Sequence, residues 1–500
     1  MGEYGELTVA YHWLPRIAPG PSASHWFDRL IASSVIQHHI LYDFSMEGLF
    51  REPASFHDNS DMFRITDRLP TEEEHRRVRH LVLQNLPPGS FTDDQLAEVA
   101  ANCPQLETVV LSGAPETSNR TVVLLAQSAT NLLGLDLSNC VEVTDVGVQE
   151  LTNKSLPLHW LFLNGLKGLT DPSVSAVAKT FSRLVELELC DLPLLTPISV
   201  RDIWSYSRKL RTLRLANCPL LSDKAFPAPP SAVALEDMYA GEKPLPHRPT
   251  TWLETLPPLI LRHTTENLRV LDLSSCKITD DAVDGIVTHA PRIQTLILSG
   301  CVMLTDKALE SICKLRDHLD VLMLAHVSNI TDGAVVQVAR SCTELRCVDV
   351  AFCRNLTDMS VFELASLSRI RRLSLVRVHK ITDLGIYALA EQATHMERLH
   401  LSYCDQLSLE SVHLLIRTMR NLQHLTATGV PAFRRAGVQR FSEPPPSTYD
   451  DDQEAAFRVF SGDRIGALRR FLDKEEKRQR DAERQNIPFV PREDDKLDLY

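Results

Sequence analysis

One leucine spacing, repeated every 25 or 26 residues, constrains this chain more than any other feature. Residues 293–306 read IQTLILSGCVMLTD, which fits LxxLxLxxCxxhTD with h apolar. The first apolar position of each copy falls at Leu106, Leu132, Leu158, Leu184 and Leu210. After a gap the series resumes at Leu268, Ile293, Leu319, Leu345, Ile370, Met396 and Leu422. A unit this short cannot enclose a core alone. It has to bury its apolar side against the next copy, so the chain must form a stacked array.

Each unit divides into a strand and a helix. In the copy at 132, Leu135 and Leu137 alternate with Gly134, Asp136 and Ser138, the period of a strand with one side in the core. A Thr-Asp pair follows, as at Thr144-Asp145, Thr305-Asp306 and Thr357-Asp358, and then a helical pattern such as VGVQELTN. Side-chain oxygens at that point are expected to cap the first helical turn. Together these features predict an α/β leucine-rich-repeat solenoid, a ribonuclease-inhibitor-like horseshoe. Its parallel sheet lines the concave face and its helices the convex face.

The repeat boundaries divide the chain. Residues 1–77 precede the array, 78–226 hold its first half and 268–430 its second. Residues 227–267 break the period and are proline-rich, with Pro227, Pro229 and Pro230 followed by Pro244, Pro246, Pro249, Pro257 and Pro258. Such a segment is expected to be a loop, and it leaves from the helix side of its repeat. Residues 431–475 are expected to cap the open end. They begin with a linker, 433–446, and continue into a helix with Ile465, Leu468, Phe471 and Leu472 on one stripe. Residues 476–500 are charged and read as a disordered tail.

Composition narrows the function. A net charge of −12 argues against nucleic-acid binding, which needs a basic footprint. No apolar run approaches the length of a membrane span, and the N-terminus lacks the pattern of a secretory signal. Eleven cysteines are present. Cys140, Cys218, Cys276, Cys301, Cys353 and Cys404 occupy the repeat's own cysteine position, which fits reduced core thiols and a cytoplasmic or nuclear chain. No phosphate loop, zinc motif or nucleophile elbow occurs, so the reading is non-enzymatic, with no cofactor and no metal.

The candidate site lies on the sheet face. Alternate strand positions form columns running from repeat to repeat. The column two residues past the start passes through Val270, Thr295, Val321 and Cys347 to Arg372, Arg398 and His424. The column four past the start contains Arg214, Ile297, Met323 and His400. The centre is apolar and the C-terminal end basic. Stacking Arg372 on Arg398 across neighbouring strands is unfavourable unless an anion lies between them, and a phosphorylated or acidic segment would supply one. Arg372, Arg398, His400, His424 and Arg214 are therefore the candidate substrate-binding residues.

The cysteine-bearing repeat LxxLxLxxCxxITD resembles the F-box/leucine-rich-repeat substrate receptors of SCF-type ubiquitin ligases. The segments RLHLSYCDQLSLESVHLLI, LTATGVPAFRRAGVQRF and AAFRVFSGDRIGALRRFL are similar to the end of fungal glucose-repression-resistance F-box proteins, and the resemblance covers about 78–473. It implies a horseshoe that holds phosphorylated protein substrates on a basic concave face for ubiquitin-dependent degradation. It also implies a ligase adaptor and cullin as partners, with no chemistry performed by the receptor. The N-terminus departs from that pattern. WLPRIAPGPSASHWF replaces the expected LPxEIL-like helix, and only LFREPASF at 49–56 matches the stretch after an F-box, so 1–77 reads as a degenerate F-box remnant. The alternative is a leucine-rich-repeat scaffold or inhibitor with no ligase link.

Overall fold

The computed structural model describes residues 8–11, 78–83, 92–112, 114–229 and 256–490. The F-box remnant expected in 1–77 lies outside them, apart from one strand. So do the middle of the insert and the last ten residues.

The strands are β1 (Thr8–Tyr11), β2 (His80–Leu83), β3 (Thr108–Val110), β4 (Gly134–Asp136), β5 (Trp160–Phe162), β6 (Glu186–Glu188), β7 (Thr212–Arg214) and β8 (Val270–Asp272). They continue with β9 (Thr295–Ile297), β10 (Val321–Met323), β11 (Cys347–Asp349), β12 (Arg372–Ser374), β13 (Arg398–His400), β14 (His424–Thr426) and β15 (Val459–Ser461). They form one sheet in sequence order. β1 to β14 run parallel, and β15 alone is antiparallel, on β14. A helix follows nearly every repeat strand and packs on the helix of the next repeat. This is the expected leucine-rich-repeat solenoid.

The core is continuous from Val78 to Leu472. The middle residue of each short strand, such as Leu135, Leu271 and Leu399, is fully buried between sheet and helices. Thiols bind successive slabs together. Cys140 Sγ–H donates to Leu111 O at 3.3 Å, Cys301 to Leu273 O at 3.1 Å and Cys404 to Leu375 O at 3.2 Å. Burial pushes these three thiols up to about 12, and all eleven cysteines are free.

The Thr-Asp pairs behave differently from expectation. Thr or Ser is the N-cap, as at Thr305 and Thr357, but the aspartate carboxylate does not cap its own helix. It reaches the cap residue of the next repeat. Asp280 accepts from Thr305 N–H at 2.8 Å and from Thr305 Oγ1 at 2.6 Å, and Asp332 does the same to Thr357 at 2.9 and 2.7 Å. Two oxygens thus satisfy two donors one repeat away. The geometry recurs at Asp93–Ser118, Asp145–Thr170, Asp306–Thr331 and Asp358–Thr382.

The insert does not interrupt the array. β7 pairs directly with β8. The insert's two ends meet where Ala228 N–H donates to Leu259 O at 2.9 Å. Arg201 Nη1 donates to Lys224 O at 3.0 Å and Pro257 O at 2.9 Å, which closes the neck. Pro227 O presses on Gly285 in the helix Asp280–His289, so the insert departs on the helix side.

The C-terminal end shows two differences. The expected linker at 433–446 is partly packed, with Phe433 and Val438 fully buried in the short helical turns Pro431–Phe433 and Ala436–Gln439. Their side chains fill the open end, which a free linker would leave wet. The last helix runs Asp463–Arg484, past the point where a disordered tail was expected. Ion pairs Arg478–Glu475 at 2.8 Å and Arg480–Glu476 extend it, since charges three or four residues apart support a helix without a core.

Candidate functional site

The sheet brings four of the five expected site residues together. Arg372 pairs in register with Arg398, and Arg398 with His424. His400 stands beside them on β13, opposite Thr426. Arg214 is on β7, five strands away. Its Nε lies 3.3 Å from a Glu188 carboxylate oxygen, with both side chains largely buried, so its charge is already met.

The four clustered residues differ in what they can do. His400 is 1% exposed, its Nδ1 lies 3.2 Å from Thr426 Oγ1, and its ring tilts against His424 at 5.3 Å. Burial, then His424, Arg398 and Arg372, drives its pKa well below the ordinary histidine value. It is a neutral spacer at physiological pH. His424 Nδ1 is 2.8 Å from Ser461 Oγ on β15, which ties it to the cap. Arg372 and Arg398 carry the permanent positive charge of the cluster.

Arg372 Nη1 is buried and has no hydrogen-bond partner among the described residues. The Arg372 side chain lines a cleft of about 660 Å³ at the N-terminal ends of the strands, with Arg346, Arg369, Arg371, His395 and Glu397 on its walls. Arg346 is held by Asp320, Arg369 by Glu344 at 3.0 Å and Arg371 by Glu397 at 3.9 Å. Each of these three guanidiniums has a carboxylate, and among the described residues Arg372 has none. An uncompensated buried guanidinium donor is costly, and an anionic ligand oxygen would satisfy it.

Between the two halves the face is apolar. Val321, Met323 and Cys347 cluster with Ile297 and are almost fully buried. Asp349, beside them, is 1% exposed and accepts from Ala351 N–H at 2.9 Å. Its burial raises its pKa to about 6.

Two features escape a column reading. The residue just before the repeat's cysteine position has positive φ in each described repeat from Asn139 to Gly429. Early repeats fill it with Asn139, Gly165, Asp191, Asn217 and Ser275, but later ones use His326, Phe352, Arg377 and Tyr403. These four form a continuous stack. His326 lies on Phe352 at 3.9 Å, and the Arg377 guanidinium sits 5.4 Å from the Phe352 ring and 4.5 Å from Tyr403. Bulky residues in a left-handed conformation at successive repeats are the signal that could have found them. The second feature is an aromatic and acidic stretch on β5 and β6. For metals, His413, Asp473 and Glu476 come closest to a ligand set among the described residues. Arg417 fills that position, 3.2 Å from Asp473 and 3.1 Å from Glu476.

Comparison with known proteins gives a local picture. A leucine-rich-repeat family model matches residues 266–287. The SCF E3 ubiquitin ligase complex F-box protein pof2 of Schizosaccharomyces pombe is 32% identical over 110 residues, which is 22% of this chain and 24% of that protein. The chain thus matches about a quarter of that relative's length. Among solved structures, the yeast Rad7–Elc1 complex gives a TM-score of 0.49 at 18% identity, covering 68% of this chain and 80% of the other. The TLR13–ssRNA13 complex gives 0.36 at 16% identity, covering 72% and 52%. The repeat pattern, the family match and the ordered parallel sheet agree: the fold is a leucine-rich-repeat solenoid.

Proposed function

We propose that this chain is the substrate-recognition subunit of an SCF-type ubiquitin ligase, with kinship to the fungal glucose-repression-resistance F-box proteins. It holds phosphorylated or acidic protein segments on its concave face and performs no chemistry itself. The observation that carries this reading is the Arg372–Arg398 pair, with a buried Arg372 donor unpartnered beside an open cleft. A phosphate or carboxylate that reached the Arg372 donor would meet a second guanidinium, Arg398, on the neighbouring strand, and the two could hold it as a clamp. The local similarity to an F-box protein supports the ligase setting. Adaptor and cullin would be the partners and the cytoplasm or nucleus the place.

The test has two arms. Affinity purification of the full chain, with and without phosphatase treatment, is expected to recover adaptor and cullin together with clients that disappear on dephosphorylation. Arg398→Glu is expected to lose those clients and keep the adaptor. Clients retained by Arg398→Glu would remove the clamp. A stable client complex with no adaptor or cullin would favour a scaffold outside any ligase.

A further inference from the structure

The first half of the concave face has the opposite polarity to the second. Its inward columns on β4 to β8 carry Asp136, Glu186, Glu188 and Asp272 against Arg214. Two aromatic rings lie among these acids. Trp160 stands opposite Glu186, and Phe162 opposite Glu188, across neighbouring strands. The ring centroids are 5.0 Å apart with 35° between planes. The indole lies flat across Gly134, where a Cβ would come within 1.9 Å of Trp160 Cε2. Only glycine lets the ring lie down on the sheet.

The two carboxylates differ. Glu188 is engaged by Arg214 at 3.3 Å and by Asn164 Nδ2–H at 2.9 Å. The Glu186 carboxylate has no hydrogen-bond or ion-pair partner among the described residues, while its backbone N–H donates to His159 O at 3.1 Å. Burial and the neighbouring Glu188 push its carboxyl pKa up, and Arg214 draws it back only in part. Glu186 and Trp160 share an open cleft of about 530 Å³ with Arg183 and Lys209. Those two cations are exposed at the lip, where solvent and salt screen them. The carboxylate and the indole are half-buried and screened less.

A half-desolvated carboxylate beside an aromatic face is a complementary environment for a cation, through charge and through the ring quadrupole. We propose that Trp160 and Glu186 form a subsite for a lysine or arginine side chain of the protein segment held on the concave face. This rests on the reading that the face binds such segments, and it adds that the segment is bipolar. The subsite on β6 and the arginine pair at β12 are six strand spacings apart, about 29 Å along the sheet. An extended segment covers that span in about nine residues. The client therefore carries a basic residue about eight or nine positions from its anionic one.

The test uses the full chain labelled with 5-fluorotryptophan, the Trp160 resonance being assigned with Trp160→Phe. The probes are acetyl-Gly-Arg-Gly-amide and its neutral isostere acetyl-Gly-citrulline-Gly-amide. The arginine peptide is expected to shift the Trp160 resonance saturably and the citrulline peptide to leave it in place. Glu186→Gln is expected to weaken the arginine response about fivefold or more with an unchanged melting temperature. Equal responses to both peptides, no response to either, or full affinity in Glu186→Gln would overturn the proposal. Phosphopeptide binding at Arg372 and Arg398 is read separately. Its survival when the Trp160 response fails leaves the parent reading standing, and its loss with the Trp160 response intact does the reverse.

Discussion

Asp223 and Thr279 are 56 positions apart in sequence, yet the carboxylate accepts both the Thr279 amide at 2.7 Å and the Thr279 hydroxyl at 2.6 Å. The same pair of bonds joins adjacent repeats elsewhere at 25 positions. The insert therefore lies outside the register of the array. Asp223→Ala would leave the half-buried Thr279 amide without a partner and is expected to cost about 1–3 kcal/mol. Asp223→Asn is expected to cost less, because Asn119 already fills this role natively. It accepts from Thr144 N–H at 2.9 Å and donates to Thr144 Oγ1 at 2.9 Å. Urea unfolding of the two variants checks the order.

Two kinds of aspartate give opposite pH dependences. Asp332 is pushed up by burial but drawn further down by hydrogen bonds from Ser360 and Thr357, for a net lowering below 3.8. A depressed carboxyl contributes stability above its unfolded pKa and loses it as pH falls through the folded value. Asp349 is the reverse, raised by burial from 3.8 to about 6. Its proton is held more tightly in the folded state, so its contribution is intact below about 4 and lost as pH rises through about 6. Asp349→Asn mimics the protonated form and keeps an acceptor for Ala351 N–H. It is expected to stabilise the fold by up to about 3 kcal/mol at pH 7.5, with the gain vanishing near pH 4. Melting curves across pH 4–8 read this directly, and a flat difference between variant and wild type would contradict it.

Gly285 sets helix propensity against packing. Alanine is favoured over glycine inside a helix by about 1 kcal/mol. Here an added Cβ would lie 1.8 Å from Pro227 O, a backbone atom that cannot rotate away. The clash wins, because overpacking of this kind costs about 1–3 kcal/mol and also pushes the insert's neck apart. Gly285→Ala is expected to lower the unfolding midpoint and to speed proteolysis near 227–259. A stabilised Gly285→Ala would mean that the neck yields freely.

The array was legible because each repeat must solve the same burial problem with the same leucines, so one period exposes strand, turn and helix together. The clustering of Arg372, Arg398, His400 and His424 was legible for the same reason, since equal offsets in a stacked array are spatial neighbours. What each member does was not. Whether His400 is a cation depends on its burial, and whether Arg214 is available depends on Glu188, and neither is written in column position. The direction of the Asp280 carboxylate was also hidden, because its partner is Thr305 in the next repeat. β15 is not legible because Val459–Ser461 lies outside the leucine period and owes its pairing to the exposed edge of β14.

Arg458 ties the cap to that edge. The side chain is 2% exposed, and burial, then Arg434, lowers its pKa to about 10, so it remains protonated at neutral pH. It donates to Phe433 O at 2.8 Å, Ala455 O at 3.0 Å and Phe457 O at 2.7 Å, binding the chain before β15 to the turn after β14. The Arg458 carbonyl in turn accepts from Ala427 N–H at 2.8 Å. Arg458→Ala removes three charge-assisted bonds and leaves a void, an expected loss of about 2–4 kcal/mol. The Ala427 and Gly429 amides, which bond to the Arg458 and Ala456 carbonyls, are expected to exchange faster in that variant than the amides of β8 to β11. An uncovered β14 would also present free strand donors and acceptors to other chains, so light scattering is expected to rise with protein concentration. Unchanged exchange at Ala427 would show that the helix Asp463–Arg484 holds β15 in place without the arginine.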